Sequence, residues 1–338
     1  ANGVHSGSGR CAPQDSENDY YPIALARPAI KPGTMFADPY GHLFVIAKWV
    51  PQGVGDYGIL VGADAQPDGT IGRRRFWPGS FLFTPDTSLA GAGFKAFRPT
   101  TFSRGRLRQT DNAAIAGLGL TPFSMQQYEG SKQDFYDRVE ALINPRPLEP
   151  EAMLDVLIAA LHEQVKRRVV SVQNAEDYKA GRRGAIEMPS GHSIFETTGA
   201  WENYSTPSRD MRLLIAMDTV LGFPDGVKRA PERFGVAAAE VDARVAELRA
   251  YLDRELRTKT FAYRRSDGSD QPLTVKDVVD RAEAFEMAYN PNDCVEIRWA
   301  APEGSAERSP CRQFAPAAQR NKMAGYRSWF AERKRPAR

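Results

Sequence analysis

The chain has 338 residues, 42% of them hydrophobic and 26% charged, with 28 Gly and 24 Pro. This globular composition excludes a collagen-like, coiled-coil or wholly disordered chain. With 45 Lys+Arg against 42 Asp+Glu the net charge is +3, too even to point to nucleic acid as a partner. No apolar run approaches the ~20 residues of a membrane span.

In chain order, the start at Ala1-Asn2-Gly3 reads as the end left by cleavage after small residues. Residues 1–20, polar and rich in Gly and Ser, read as a flexible arm. Residues 21–121 read as β-rich. His42 to Val50 is a strand-length apolar run, Tyr57 to Ala63 a second, Thr70 to Phe76 a third and Phe81 to Phe83 a fourth. Turn residues separate them, Gln66-Pro67-Asp68-Gly69 most clearly, which predicts an antiparallel meander.

From residue 122 to 338 the period becomes helical. Tyr128, Phe135, Val139 and Leu142 share one face; Met153, Leu154, Leu157, Leu161 and Val165 share another; Val241, Val245, Leu248, Leu252 and Leu256 form a third. Thr206-Pro207 opens a helix that Gly222 closes, with Thr206 as its cap. Thr274 caps a helix through Phe285, and Met323 to Phe330 mark the last one. The fold class is therefore α+β: an antiparallel β-rich N-terminal region packed against a mostly helical remainder as one compact unit.

Two places carry chemistry. The first is His42, which follows Gly41 and opens a buried strand; if the next strand pairs with it as a hairpin, Asp64 at that strand's end comes within reach. A carboxylate there fixes the imidazole tautomer and steadies its protonated form. Gly-His before an apolar strand, then a hairpin ending in an acid, resembles papain-like amidases of the CHAP type. The polar turn Asn290-Pro291-Asn292-Asp293 before Cys294 looks like their circularly permuted relatives, including the lecithin:retinol acyltransferase group, where the histidine strand comes first. The resemblance implies Cys294 as nucleophile, His42 as base and Asp64 as its orienting acid, attacking an acyl carbon. Cys11, Cys294 and Cys311 are the three cysteines; one bridge leaves a free thiol, and Cys294 is open to pairing with Cys311 or Cys11.

The second is the loop 189–210, with His192, Glu196, Trp201, Glu202, Tyr204, Arg209 and Asp210. Aromatics beside carboxylates suit stacking on sugar rings and glycosidase acid–base work, and a His, Tyr and Arg set suits a lyase. The same residues also suit core plugs and helix caps. The leading expectation is a secreted or periplasmic hydrolase that cleaves an amide or ester bond of a cell-envelope or extracellular polymer by a Cys–His mechanism. The alternatives are a polysaccharide lyase or glycosidase, and a non-catalytic glycan-binding module. The expectation includes no cofactor, no metal, no nucleic acid and no membrane span.

Overall fold

The computed structural model describes residues 9, 11–53, 56–65, 71–89 and 91–336. The turn at Gln66–Gly69 lies outside them. Among the described residues no helix is long and apolar enough to cross a membrane.

The chain is α+β, with an antiparallel sheet in the N-terminal region and helices dominating the rest. β1 (Tyr20–Pro22), β2 (Met35–Ala37), β3 (Leu43–Val50), β4 (Ile59–Ala65), β5 (Ile71–Arg75) and β6 (Gly93–Phe97) form one six-stranded sheet in the order β1-β6-β2-β3-β4-β5. β3 to β5 run as the expected meander, and β2, which the sequence pattern does not announce, precedes them in it. β6 departs from it by returning between β1 and β2. β7 (Thr100–Ser103) and β8 (Arg106–Gln109) make a separate hairpin.

Alternation along β2, β3, β4 and β6 turns Phe36, Phe44, Ile46, Leu60 and Phe94 to one face. Phe81, Phe83, Phe135 and Tyr136 complete a core of aromatic rings, with Phe83 stacked on Phe135 at 3.6 Å and Phe44 on Phe81 at 4.3 Å. Phe81 to Phe83, expected as a strand, is an irregular segment. Its backbone groups find one hydroxyl in place of a partner strand: Tyr136 Oη donates to the Phe81 carbonyl at 2.8 Å and accepts from the Phe83 amide at 3.0 Å.

That hydroxyl comes from α1 (Lys132–Ile143), which a Ser131–Asp134 capping box starts and which buries Phe135, Tyr136, Val139 and Ile143 in the sheet's core. Tyr128 lies outside this helix, beyond Gly130. Because α1 belongs with the sheet, the chain divides into two compact units after Leu148, not into strand and helix regions of one unit at 121/122. The segment 11–20, expected as a flexible arm, is docked. Arg98 donates to the carbonyls of Asp15, Asn18 and Tyr20, and Cys11 is buried.

The second unit is built on α2 (Pro150–Ala180), a 31-residue helix started by Pro150 and the Glu149 side chain. It extends well past the apolar stripe that reveals it in the sequence. Next come α3 (Ala200–Tyr204), α4 (Pro207–Leu221), α5 (Phe223–Arg229) and α6 (Val241–Thr258). A hairpin that the helical periodicity does not announce follows: β9 (Thr260–Arg264) paired with β10 (Asp270–Thr274). The Thr274–Asp277 capping box then starts α7 (Val275–Asp280), and α8 (Ala282–Phe285), α9 (Val295–Arg298) and α10 (Ala317–Ala331) complete the unit.

Gln127 holds the first unit's β6 to the end of β1. Its fully buried amide accepts from Phe94 N and donates to the carbonyls of Phe94 and Ile23. Gln127→Ala strands the Phe94 amide and the Ile23 carbonyl, while the Phe94 carbonyl keeps the Ile23 amide as donor. It is expected to lower unfolding stability by about 3 kcal/mol, read from the urea midpoint.

Candidate functional site

Asp38 fixes the approach to His42. Its Oδ1 accepts from the backbone N of Tyr40 at 2.8 Å and of His42 at 2.9 Å, and Gly41 takes φ +92° to complete the turn. The imidazole packs edge-on against Phe44, ring centroids 4.5 Å apart. Across the hairpin, β4 turns alternate residues inward: Leu60, Gly62 and Asp64. Asp64 thus projects to the face that carries Phe44, and its Oδ2 meets His42 Nε2 at 2.9 Å. The same oxygen accepts from Arg74 Nε at 3.2 Å.

Arg74 reaches Asp64 because β5 pairs Asp64 with Gly72, two residues before Arg74 on the same face. Position 72 must be glycine, since a Cβ there would stand 2.2 Å from Asp64 Oδ1. The Asp64 side chain is 1% exposed, His42 32% and Arg74 25%. Burial alone raises the Asp64 pKa, but the hydrogen bond from His42 and the charge of Arg74 outweigh it and hold the carboxyl below its ordinary 3.8. An ionised Asp64 accepts only, so Nε2 is the donor and Nδ1 carries the imidazole's lone pair.

Cys294 is not a free thiol: it forms a disulfide with Cys311, Cα atoms 5.7 Å apart. Its sulfur cannot ionise and attack, so the nucleophile implied by the resemblance is withdrawn. Cys294 and Cys311 Sγ and a Glu296 carboxylate oxygen lie within 4.8 Å of one another. With both sulfurs bonded to each other, that trio has no thiolate to offer a metal ion. Cys11, the free cysteine, lies 3.5 Å from Lys95 Nζ. Lys95 follows the core residue Phe94 in β6 and pairs with Met35, so it leaves the sheet on the face opposite His42.

The loop 189–210 divides between core and surface. Trp201 is buried, its Nε1 donating to the Ile194 carbonyl. Asp210 is fully buried and paired bidentately with Arg168, both contacts 2.8 Å. These two expected substrate contacts are corrected to packing and ion-pair residues, because an indole and a compensated carboxylate gain more inside this helical unit than in a wet groove. Thr206 does not cap α4 as expected, and its hydroxyl donates to Asp210 at 3.0 Å. His192, Glu202 and Arg209 are exposed. Glu196 is half-buried, 3.9 Å from Arg335. Tyr204 is half-buried and stacks on Tyr178 at 3.9 Å.

Arg74 is a site residue that the sequence analysis missed, because three consecutive arginines on a strand ordinarily mark a solvated edge. The alternation Asp64, Gly72, Arg74 across a hairpin is the signal that finds it. Arg168 and Arg298, both fully buried, were missed because arginine on a helix is ordinarily solvated.

No family model matches this sequence, and no curated protein or solved structure matches it either.

Two outcomes follow from this geometry. In denaturant without reductant, a thiol reagent should label Cys11 alone, and all three cysteines after reduction. Reducing the bridge between positions 17 apart should cost about 3 kcal/mol. Since the Asp64 pKa is lower folded than unfolded, its contribution is complete above the ordinary 3.8 and is lost as pH falls through the folded value. The stability difference between wild type and Asp64→Asn should therefore be constant near neutrality and shrink in acid titration below about pH 4.

Proposed function

We propose that the first unit is a hydrolase of an ester or amide bond, with His42 as general base. The observation that carries this reading is the 2.9 Å contact between a partly exposed imidazole and a buried carboxylate. This is the arrangement that orients a base while leaving its second nitrogen to the substrate side. The two sulfurs of the second unit's bridge are bonded to each other, and Cys11 stands behind the sheet. Water is therefore the nucleophile: Nδ1 takes its proton as the oxygen attacks the acyl carbon, and returns that proton to the leaving oxygen or nitrogen as the bond breaks. Among the described residues the Nη groups of Arg74 have no hydrogen-bond partner, which suits them to the oxyanion that develops.

An exported polymer is the substrate class this reading retains, and the Cys294–Cys311 bridge supports an oxidising compartment. The carbohydrate readings have less behind them, since Trp201 is in the core and one face of Tyr204 is spent on Tyr178.

The full chain should hydrolyse activated acyl esters such as p-nitrophenyl acetate, or amide bonds of a peptidoglycan preparation. His42→Ala should lower the rate by about 10²–10⁴ with the fold intact by circular dichroism, and Arg74→Met should lower kcat more than it raises KM. Cys294→Ser should leave kcat unchanged. A His42→Ala protein as active as wild type overturns the assignment.

A further inference from the structure

The second unit keeps charge where none of the chemistry above uses it. Along one face of α2, Arg168, Val172, Ala175, Glu176 and Lys179 succeed each other at helical spacing. Arg168 lies in the corner between the perpendicular rings of Phe285 and Trp299, 4.9 and 4.8 Å from their centroids, and holds Asp210 with Nε and one Nη. Arg298, from α9, is entirely buried, and one Nη donates to the Tyr204 carbonyl at 3.1 Å. Its other Nη stops 4.0 Å short of the Glu176 carboxylate, which Lys179 engages at 2.8 Å.

What remains is a surplus of donors. Arg298 Nε, Arg298 Nη1 and Arg168 Nη1 have no hydrogen-bond partner, and neither do Tyr289 Oη and Trp299 Nε1, all in buried side chains. Leaving guanidinium donors dry and unanswered is costly. Burial first, and then repulsion from Arg168, push Arg298 down to about 10, against the opposing pull of Glu176, Asp210 and Asp293. Lone water molecules answer donors but do not relieve that repulsion; an anion does both. The partly exposed Glu176 and Lys179 give the cluster an edge open to solvent.

We propose that Arg298, with Arg168 behind it and Lys179 at the edge, forms a binding site for a small oxoanion, a phosphate or sulfate group, that seats against the unused Nε–H and Nη1–H of Arg298. The group displaces Glu176 from its near approach to Arg298. Glu176 is thereby a competitor for the site and sets its affinity. The site is independent of the His42 reading, because every residue in it belongs to the second unit.

The test is isothermal titration of the full chain with inorganic phosphate and with sulfate, against sodium chloride at matched ionic strength. Wild type should bind one anion saturably, and Glu176→Gln should bind it about tenfold more tightly, since a like charge is removed. Arg298→Lys, which keeps the charge but removes the Nε donor, should weaken binding about tenfold, and Arg298→Met should abolish it. Because a buried methionine at 298 threatens folding, the Glu176→Gln and Arg298→Lys results decide the matter. Heat no larger than chloride gives, or equal affinities in wild type, Glu176→Gln and Arg298→Lys, means that the donors are served by water only and overturns the site.

Discussion

A carboxylate taken out of water needs donors, and the cations that answer two of them shape both units of this protein. In the first unit Asp64 sits in the inward-facing row of a strand, where a leucine or phenylalanine would be ordinary. It stays charged because an imidazole reaches it from one side and a guanidinium from the other. In the second unit Asp210 is held by Nε and one Nη of Arg168 and by the Thr206 hydroxyl. Removing one partner of such a pair leaves the other buried and uncompensated, so each fixes its neighbours firmly.

The two solutions differ in what they leave over. Around Asp64 the cations are partly exposed, and Nδ1 of His42 and the Nη groups of Arg74 are not spent on the carboxylate. The sheet makes this possible. β5 is an edge strand, so Arg74 is anchored by one pairing partner only, while the aromatic core beneath Phe44 keeps the imidazole upright. Around Asp210 the pairing is deep, aromatic rings enclose the cation, and the surplus is a set of donors facing inward.

Much of this was legible residue by residue. The strand runs around 43–50 and 59–65, the start of a helix at Pro207, the capping box at Thr274 and the stripe from Val241 to Leu256 rest on local sterics and periodicity, which act within a few residues and need no tertiary partner. His42 and Asp64 were legible as a pair because hairpin register is short-range. Trp201 and Asp210 were misread because the same polar–aromatic loop serves a cleft or a core equally well, and only the neighbours decide. Phe81 to Phe83 was misread as a strand because apolar content is all that a sequence shows; a tyrosine hydroxyl from more than fifty residues away satisfies its backbone instead.

The sequence by itself determined the α+β class, the order of most elements and the dyad of His42 with Asp64, since these follow from periodicity, capping and nearest-strand pairing. Tertiary structure alone decided the insertion of β6 between β1 and β2, the membership of α1 in the first unit, the pairing of Cys294 with Cys311 and the burial of Arg168 and Arg298. Each of these joins residues far apart in the chain, and the free energy of such contacts depends on what surrounds them once folded. A lone arginine or cysteine in a sequence carries no mark of the partner it will find.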